Sequence, residues 1–276
     1  MAKRKPKPEP ITGQPFRDDD PLFTVIVTDY EPSVPREYFR RKMACLAAQT
    51  CDDFEVLVYH DGPKSCSYVE DLADGPMHPA TQFIVTPARV GDWGHSGRDL
   101  GIRAARGRWI IHTNADNVFY PSLIAVLKDV LTDPQPWAFA DRPKRVASLS
   151  RRVGFGLKGM ARWLDRHWDT NPPALQVLES SDPEILVYGI IMRGMVALKG
   201  SQTRVPDVAK RQGVVYGGVP VKLGGTDAMQ LVMRRDLWLA EGGWHDRSMN
   251  SDGLMYPEFA MKYRVLAVPA LLGEHW

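Results

Sequence analysis

Oxygen-bearing side chains follow one short apolar stretch near the middle of the chain. Asn114, Asp116 and Asn117 come shortly after Trp109 to Ile111, whose β-prone residues predict a buried strand. In an open α/β sheet, ligands bind at the carboxyl ends of the strands. A magnesium-like cation takes one or two carboxylates and completes its shell with water and substrate phosphate. The pattern therefore predicts a site for a hard cation and the phosphates it carries, the alternative being an Asx-rich turn before a helix that begins at Pro121.

Arg98 is a second residue that its local pattern singles out. Ser96 is the predicted N-cap of a helix that ends at Arg106, before the stop signal of Gly107. Arg98 then lies in the first turn, where a cation opposes the helix dipole. This mismatch indicates that Arg98 binds an anion, the alternative being an ordinary surface arginine.

The elements that must position these residues form a strand–helix pattern. Phe23 to Thr28 and Phe54 to Tyr59 are predicted buried strands, and strand, helix and strand within about 40 residues imply parallel pairing with a right-handed crossover. The helix between them begins at Pro35, and its apolar face comprises Phe39, Met43, Leu46 and Ala47. Further predicted elements are strands at Phe83 to Thr86, Trp137 to Ala140 and Met229 to Met233, a strand with its following loop at Trp109 to Asn117, and helices after Pro121 and Arg234.

Composition sets the limits within which these elements fold. The 276 residues are 44% hydrophobic with a formal net charge of +2, which allows one large domain and shows no global acidic or basic bias. Three cysteines argue against a disulfide scaffold. The longest apolar run, Ile185 to Leu198, is too short for a transmembrane segment, and no secretory signal is recognisable. We expect a cytoplasmic protein whose residues 1–20 form a disordered, basic, Pro-rich tail.

Three local patterns, in this order, resemble glycosyltransferase family 2, a family of nucleotide-sugar glycosyltransferases of the GT-A type. They occur over residues 22 to 131 and comprise Thr28-Asp29-Tyr30; then Leu46-Ala47-Ala48-Gln49-Thr50 with Phe54-Glu55-Val56 and Asp61-Gly62; then Gly97-Arg98-Asp99-Leu100-Gly101-Ile102 with Ala105-Arg106-Gly107 and Asn114-Ala115-Asp116-Asn117. The sequence departs from the family at His60 and Pro63, which replace Asp and Ser, and at Asn114, which replaces the first acid of Asp-x-Asp. Loss of that carboxylate weakens the charge of a metal site, whereas an amide oxygen can still ligate.

The resemblance implies roles for residues of the first half. Asp61 would accept a hydrogen bond from the nucleobase, although a turn residue before glycine is the alternative reading. The other residues expected to bind the donor are Asp29, Tyr30, Arg98, Asn114, Asp116 and Asn117. Mn²⁺ or Mg²⁺ is the expected cofactor, with Asp116, His275 and Asn114 as ligands, and a surface histidine is the alternative for His275.

In the second half, the resemblance places the catalytic base at Asp252, which follows Ser251 where the family has Glu-Asp. Asp227, in Gly-Gly-Thr-Asp, is a second candidate acid, and its alternative is a turn before a strand. Trp93 and Trp244 are candidate acceptor-binding residues, with a core position as the alternative for Trp244. Such a base deprotonates the acceptor hydroxyl as it attacks the anomeric carbon.

The predicted fold is therefore α/β of the GT-A type, a Rossmann-like, mixed and mostly parallel sheet flanked by helices. Residues 22–140 form the nucleotide-sugar half, and residues 141–276 form a variable acceptor half that contains a basic, aromatic insertion at about 142–172. The predicted function is metal-assisted, inverting transfer from a nucleotide-sugar, expected to be a UDP-sugar, to a hydroxyl of a glycan, lipid-linked or small-molecule acceptor. Two alternatives stay open: an acceptor in nucleic acid such as a hydroxymethylated DNA base, suggested by the basic insertion, and a non-catalytic sugar-nucleotide binding protein.

Overall fold

The structure is a computed structural model that describes residues 9–30, 34–63, 75–133, 182–193, 195–198, 201–204, 213–223 and 225–276. The predicted strand at 137–140, the basic insertion at 142–172 and the boundary between the two halves near residue 140 lie outside these ranges. Among the described residues, no helix has the length and apolar character needed to cross a membrane.

The N-terminal half forms parallel strands connected by helices. Its elements are β1 (Phe23–Asp29), α1 (Arg36–Ala47), β2 (Phe54–His60), β3 (Thr81–Val85), α2 (His95–Ala104) and β4 (Trp109–Asn114). The strands pair in the order β3-β2-β1-β4, and all of these pairs are parallel. The βαβ pattern expected from the sequence is therefore present.

The remaining elements extend the same sheet. They are β5 (Val118–Phe119), α3 (Leu123–Thr132), β6 (Ile185–Arg193), β7 (Met195–Leu198), β8 (Ser201–Arg204), β9 (Gly213–Tyr216), β10 (Leu231–Arg234), α4 (Arg235–Ala240), α5 (Ser251–Lys262) and β11 (Val265–His275). Beyond β4 the order is β10-β6-β11-β5, with β9 on β6, while β7 and β8 form a separate pair.

Strand direction explains where side chains can meet. β10 is antiparallel to both β4 and β6, and β6 is parallel to β11. Consequently β1, β2, β3, β4, β6 and β11 all run in the same direction, and their carboxyl ends lie at one edge of the sheet. The mixed, mostly parallel sheet predicted from the sequence is confirmed.

Two apolar cores cover the two faces of the sheet, because successive strand residues point to opposite sides. On one face, Val25 and Val27 of β1 belong to a cluster that includes Phe39 of α1 and Leu127 of α3. On the other face, Ile26 belongs to a cluster with Ile102 of α2, Trp238 of α4, Trp244 between α4 and α5, and Tyr256 and Phe259 of α5. Among the described residues, the sheet is thus covered by apolar side chains on both faces.

Two details differ from the sequence-based expectations. Helix α2 begins at His95 with Gly94 as its N-cap, so Ser96 is not the cap residue. The backbone N–H of Ser96 instead donates to Asp92 Oδ2 at 2.9 Å, which provides the side-chain cap from outside the helix. The long strand β11 was not predicted, because Pro269 interrupts its apolar run and its pairing with β6 shifts register on either side of Leu271.

Candidate active site

The candidate site lies at the sheet edge where the parallel strands end. Asp29 is the last residue of β1, Asn114 is the last residue of β4 and His275 is the last residue of β11. Asp227 lies just before β10, which runs in the opposite direction, and therefore joins the same edge. Residues from four distant parts of the sequence are brought together by strand order alone.

A buried arginine forms the centre of this edge. Arg98 is only 3% exposed, and its Nη2 donates to Asn114 Oδ1 at 2.5 Å while its Nη1 donates to the carbonyl oxygen of Trp93 at 3.0 Å. Its guanidinium also lies over the ring of Trp244, 4.8 Å from the ring centroid. Burial lowers the pKa of Arg98, while Tyr256, Asp252 and other nearby acids oppose that shift. Arg98 is therefore a fixed internal cation and not a surface arginine.

Asn114 is held by two donors at once. Besides Arg98, the hydroxyl of Thr28 donates to Asn114 Oδ1 at 2.8 Å. An amide oxygen that already accepts two hydrogen bonds has no lone pair left for a cation. In this arrangement Asn114 positions Arg98, and metal ligation by Asn114, which stays a prediction, would require its Oδ1 to exchange one of these donors for the cation.

Asp116 is the acid that remains of the Asp-x-Asp motif, in which Asn114 replaces the first acid. Its Oδ1 is buried and has no hydrogen-bond partner within the described part of the chain. Burial raises the pKa of Asp116, whereas His275 and Lys42 favour the charged form. His275 Nδ1 lies 2.9 Å from Asp227 Oδ2, so Asp116, His275 and Asp227 form one electrostatically coupled group.

These residues can be compared with the needs of a divalent cation. Within the described ranges, no three His, Cys, Asp or Glu side chains are arranged as a complete metal site. A magnesium-like ion nevertheless requires only one or two protein ligands when substrate phosphates supply the rest. The unpartnered oxygen of Asp116 and the imidazole of His275 provide the N/O donor pair that Mn²⁺ accepts. Asp116 and His275 therefore fit a cation that arrives with its phosphates.

Lys42 is a buried cation that sequence reasoning missed. It is completely buried on α1, where its Nζ donates to Thr113 Oγ1 at 2.9 Å and lies over the ring of Phe119. Burial lowers its pKa to about 8, against the opposing influence of Cys45 and Asp116. Its position three residues after Phe39 places it on the apolar face of α1, and this spacing was the only available signal.

Asp252 lies in the first turn of α5 and is half-buried, close enough to Arg98 to influence its pKa. Burial raises its pKa, and the negative charge of Asp227 raises it further. Burial acts on Asp227 in the same direction, but His275 and the N–H of Met229 hold the pKa of Asp227 below its ordinary value. The pKa values of the two carboxylates are thus shifted in opposite directions, and Asp252 is the one suited to take up a proton.

At the ends of β1 and β2, the residues expected to bind a nucleoside contact other groups of the protein. Asp29 Oδ2 lies 2.8 Å from His60 Nδ1, which explains how His60 replaces an acid at this position. Both oxygens of Asp61 accept backbone N–H groups, from Val90 at 2.6 Å and Gly91 at 2.9 Å. Asp61 therefore anchors the loop that precedes α2.

The nucleoside region also contains an arginine and an aromatic ring in contact. The guanidinium of Arg89 lies over the ring of Tyr30, 3.9 Å from its centroid. Tyr30 follows β1 and is half-buried, whereas Arg89 is exposed. Asn117, the last predicted donor-binding residue, is buried, and its Oδ1 has no hydrogen-bond partner among the described residues.

The two tryptophans predicted to bind the acceptor occupy opposite environments. Trp244 is fully buried, stacks on Trp238 and His95, and donates from Nε1 to Ser251 Oγ at 2.9 Å. It occupies a core position, the alternative that the sequence left open for Trp244. Trp93 is 66% exposed and has a φ of +61°, a backbone conformation that is strained for a residue with a bulky side chain.

Comparison with known proteins supplies the family. Residues 24–159 match the family described as Glycosyl transferase family 2, a segment that contains Asp29, Asp61, Arg98 and Asn114. The chain is a GT-A protein of the glycosyltransferase family 2 type. The family resemblance and the GT-A fold predicted from the sequence are both confirmed. A search among curated protein sequences returns no significant match.

Solved structures similar to this family 2-type protein have low sequence identity to it. S. aureus TarS 1–349 is 15% identical, with a TM-score of 0.48, and the match covers 92% of this chain and 60% of TarS 1–349. The mannosyltransferase PcManGT from Pyrobaculum calidifontis, in complex with GDP-Man and Mn²⁺, is 14% identical, with a TM-score of 0.50 and coverage of 97% and 60%. This chain therefore spans about 60% of the length of these structures, and the similarity to PcManGT concerns the fold.

Proposed function

We propose that this family 2-type protein is an inverting glycosyltransferase that moves a sugar from a nucleotide-sugar, a UDP-sugar in the first instance, to a hydroxyl acceptor. One observation carries the proposal. Asp252, a carboxylate with a raised pKa, lies close enough to the buried cation Arg98 for each to shift the pKa of the other, and Asp116 has a buried carboxylate oxygen without a hydrogen-bond partner among the described residues. A proton acceptor next to a site for negative charge is the combination that glycosyl transfer to a hydroxyl requires.

On the donor side, the chain's own charges favour a diphosphate. The buried guanidinium of Arg98 is held in place by Asn114, so it can stabilise negative charge without reorganising. Asp116 and His275 would hold Mn²⁺ or Mg²⁺, which would neutralise charge on the departing nucleoside diphosphate as a Lewis acid. Tyr30 and Asp61 would line the nucleoside pocket, which requires Arg89 to move from the ring that it covers.

On the acceptor side, Asp252 would act as the general base. It would remove the proton of the acceptor hydroxyl while that oxygen forms a bond to the anomeric carbon. The bond between the anomeric carbon and the diphosphate oxygen breaks at the same time, which inverts the configuration. Burial supports this role because it brings the pKa of Asp252 closer to the working pH of an enzyme.

The exposed indole of Trp93 is the candidate contact for the acceptor. Its carbonyl oxygen is bonded to Arg98, which places the residue beside the proposed donor site. An acceptor sugar could lie on the exposed ring face. The basic insertion at 142–172, which suggested a DNA acceptor, lies outside the described residues, so DNA remains one arm of the acceptor test.

Thermal unfolding with a panel of nucleotides, with and without Mn²⁺, tests the donor half of the proposal. A ligand that binds only the folded protein raises the melting temperature by mass action. We expect a rise with UDP or a UDP-sugar that depends on Mn²⁺ and disappears in Asp116→Ala. A rise with GDP alone would change the predicted nucleotide, and no rise with any nucleotide would refute the transferase.

Turnover then separates an enzyme from a binding protein. Phosphorus NMR can monitor the release of UDP from a UDP-sugar. We expect release in the presence of an acceptor, and slow release by hydrolysis of the donor when no acceptor is present. Nucleotide binding without donor hydrolysis and without transfer to any acceptor would support the non-catalytic alternative. Salt-sensitive binding to hydroxymethylated duplex DNA, with transfer to it, would support the nucleic acid acceptor.

A further inference from the structure

Asp227 and His275 form a pair that the local sequence does not predict. Asp227 Oδ2 lies 2.9 Å from His275 Nδ1, and Asp227 Oδ1 accepts the N–H of Met229 at 3.0 Å. The two side chains are 16% and 15% exposed, respectively. Both carboxylate oxygens therefore have an assigned partner within the fold, which is unfavourable for a general base that must meet an acceptor hydroxyl.

The turn that carries Asp227 is itself rigidly attached to the sheet. Its N–H donates to Gln230 Oε1 at 2.9 Å, and Gln230 is fully buried. The amide nitrogen of Gln230 donates to the carbonyl oxygens of Tyr188 and Tyr216, at 2.8 and 3.0 Å. The carboxylate of Asp227 is thus fixed relative to β6 and β9, and it can act as a fixed reference point for the imidazole.

We propose that Asp227 is a positioning residue that fixes the ring and the tautomer of His275, so that His275 and Asp116 together form the protein part of the cation site. This inference rests on the part of the proposed function in which Asp116 and His275 hold a divalent cation. A histidine that ligates a metal usually donates its other ring N–H to a carboxylate, which sets the tautomer and the ring orientation. With the proton on Nδ1 and shared with Asp227, Nε2 carries the lone pair.

The position of the pair supports this assignment. His275 is the strongest charged neighbour of Asp116, the carboxylate whose Oδ1 has no hydrogen-bond partner among the described residues. Asp252, by contrast, lies on α5 and is not part of the Asp227–His275 hydrogen bond. The two candidate acids therefore have different roles: Asp252 acts on the acceptor, and Asp227 acts through His275.

The first test measures the tautomer of His275 in the ligand-free protein, with neither metal nor nucleotide present. The chain has seven histidines, and His275→Gln identifies the His275 signals in nitrogen-15 NMR spectra of mildly alkaline solutions. The wild-type ring should carry its proton on Nδ1. In Asp227→Asn the amide NH₂ can donate to Nδ1 while its oxygen still accepts from Met229, so the proton should move to Nε2.

The second test measures Mn²⁺ binding by the protein in the presence of UDP, whose phosphates complete the cation's shell, with electron paramagnetic resonance and independently of turnover. Loss of an orienting carboxylate typically weakens a metal site about 10- to 100-fold, and we expect this for Asp227→Asn. His275→Gln should weaken binding at least as much, and the double variant should be no weaker than His275→Gln alone. Asp252→Asn, the matched control, should keep the wild-type Mn²⁺ affinity.

Two results would overturn the inference. Asp227→Asn could retain both the Nδ1–H tautomer and the Mn²⁺ affinity while transfer is lost, which would make Asp227 the base. Alternatively, the wild-type protein could show no Mn²⁺ affinity in the presence of UDP, which would overturn the role of the pair in cation binding. In that second case, the nucleotide-dependent melting temperature separately decides whether the transferase proposal survives.

Discussion

Lys42 provides a stability prediction whose size follows from its burial. A fully buried lysine with a pKa of about 8, against 10.5 for the free side chain, binds its proton more weakly in the folded than in the unfolded protein. One pKa unit corresponds to about 1.4 kcal/mol, so the charged form costs the folded state about 3 kcal/mol. Between about pH 8 and pH 10 the unfolded chain holds more protons, and stability should therefore rise with pH in that window.

Lys42→Met replaces the ammonium by an apolar group of similar length and removes this cost. The hydrogen bond to Thr113 is lost as well, which subtracts about 1 kcal/mol. The net expectation is a stabilisation of about 2 kcal/mol at neutral pH that vanishes as the pH approaches 10. Urea unfolding of both proteins at several pH values measures this difference in the free energy of unfolding. Both proteins contain the same tyrosines, which titrate in a similar pH range, so the difference between the two proteins reports on Lys42.

Lys128→Met is the matched control. This lysine is exposed on α3, and its ion pair with Asp53 raises its pKa, so any contribution has the opposite sign and decreases as pH rises. If Lys42→Met were less stable than the wild-type protein at neutral pH, or if their difference did not change with pH, the reasoning about the buried ammonium would be wrong.

Three further predictions concern turnover and binding. Asp252→Asn should lower kcat about 10²- to 10⁴-fold. Because the pKa of Asp252 is raised, the wild-type rate should begin to fall, as the pH is lowered, at a higher pH than the ordinary pKa of an aspartate. The pH–rate profile of Asp252→Asn should lack this acidic limb. Arg98→Met should weaken UDP-sugar affinity about 10- to 100-fold in calorimetry, and unchanged affinity would remove Arg98 from the donor site. Trp93→Gly should leave the melting temperature unchanged or higher, since a φ of +61° suits glycine, while it raises the acceptor KM about tenfold without affecting donor binding. An unchanged acceptor KM would exclude Trp93 from the acceptor site.

The strands of the N-terminal half could be predicted because their information is local. Phe23–Asp29 and Phe54–His60 consist mostly of apolar or β-prone residues and end in a polar residue, as expected of strands buried on both faces. The same locality made Asp116 recognisable at the end of a predicted strand, whereas Asp252 was singled out by the family resemblance. β11 escaped prediction because its proline and its register shifts depend on the strand beside it.

The sequence by itself determined the fold class, the strand ends and the set of residues with suitable chemistry, because propensity and short-range spacing act between neighbours in the chain. Only the tertiary structure decided which of them meet. Asp227 and His275 are 48 residues apart, and they pair because β10 runs antiparallel to the strands that surround it. Trp244 became a core residue and Lys42 a buried cation for the same physical reason, since burial depends on what the rest of the chain packs against each position.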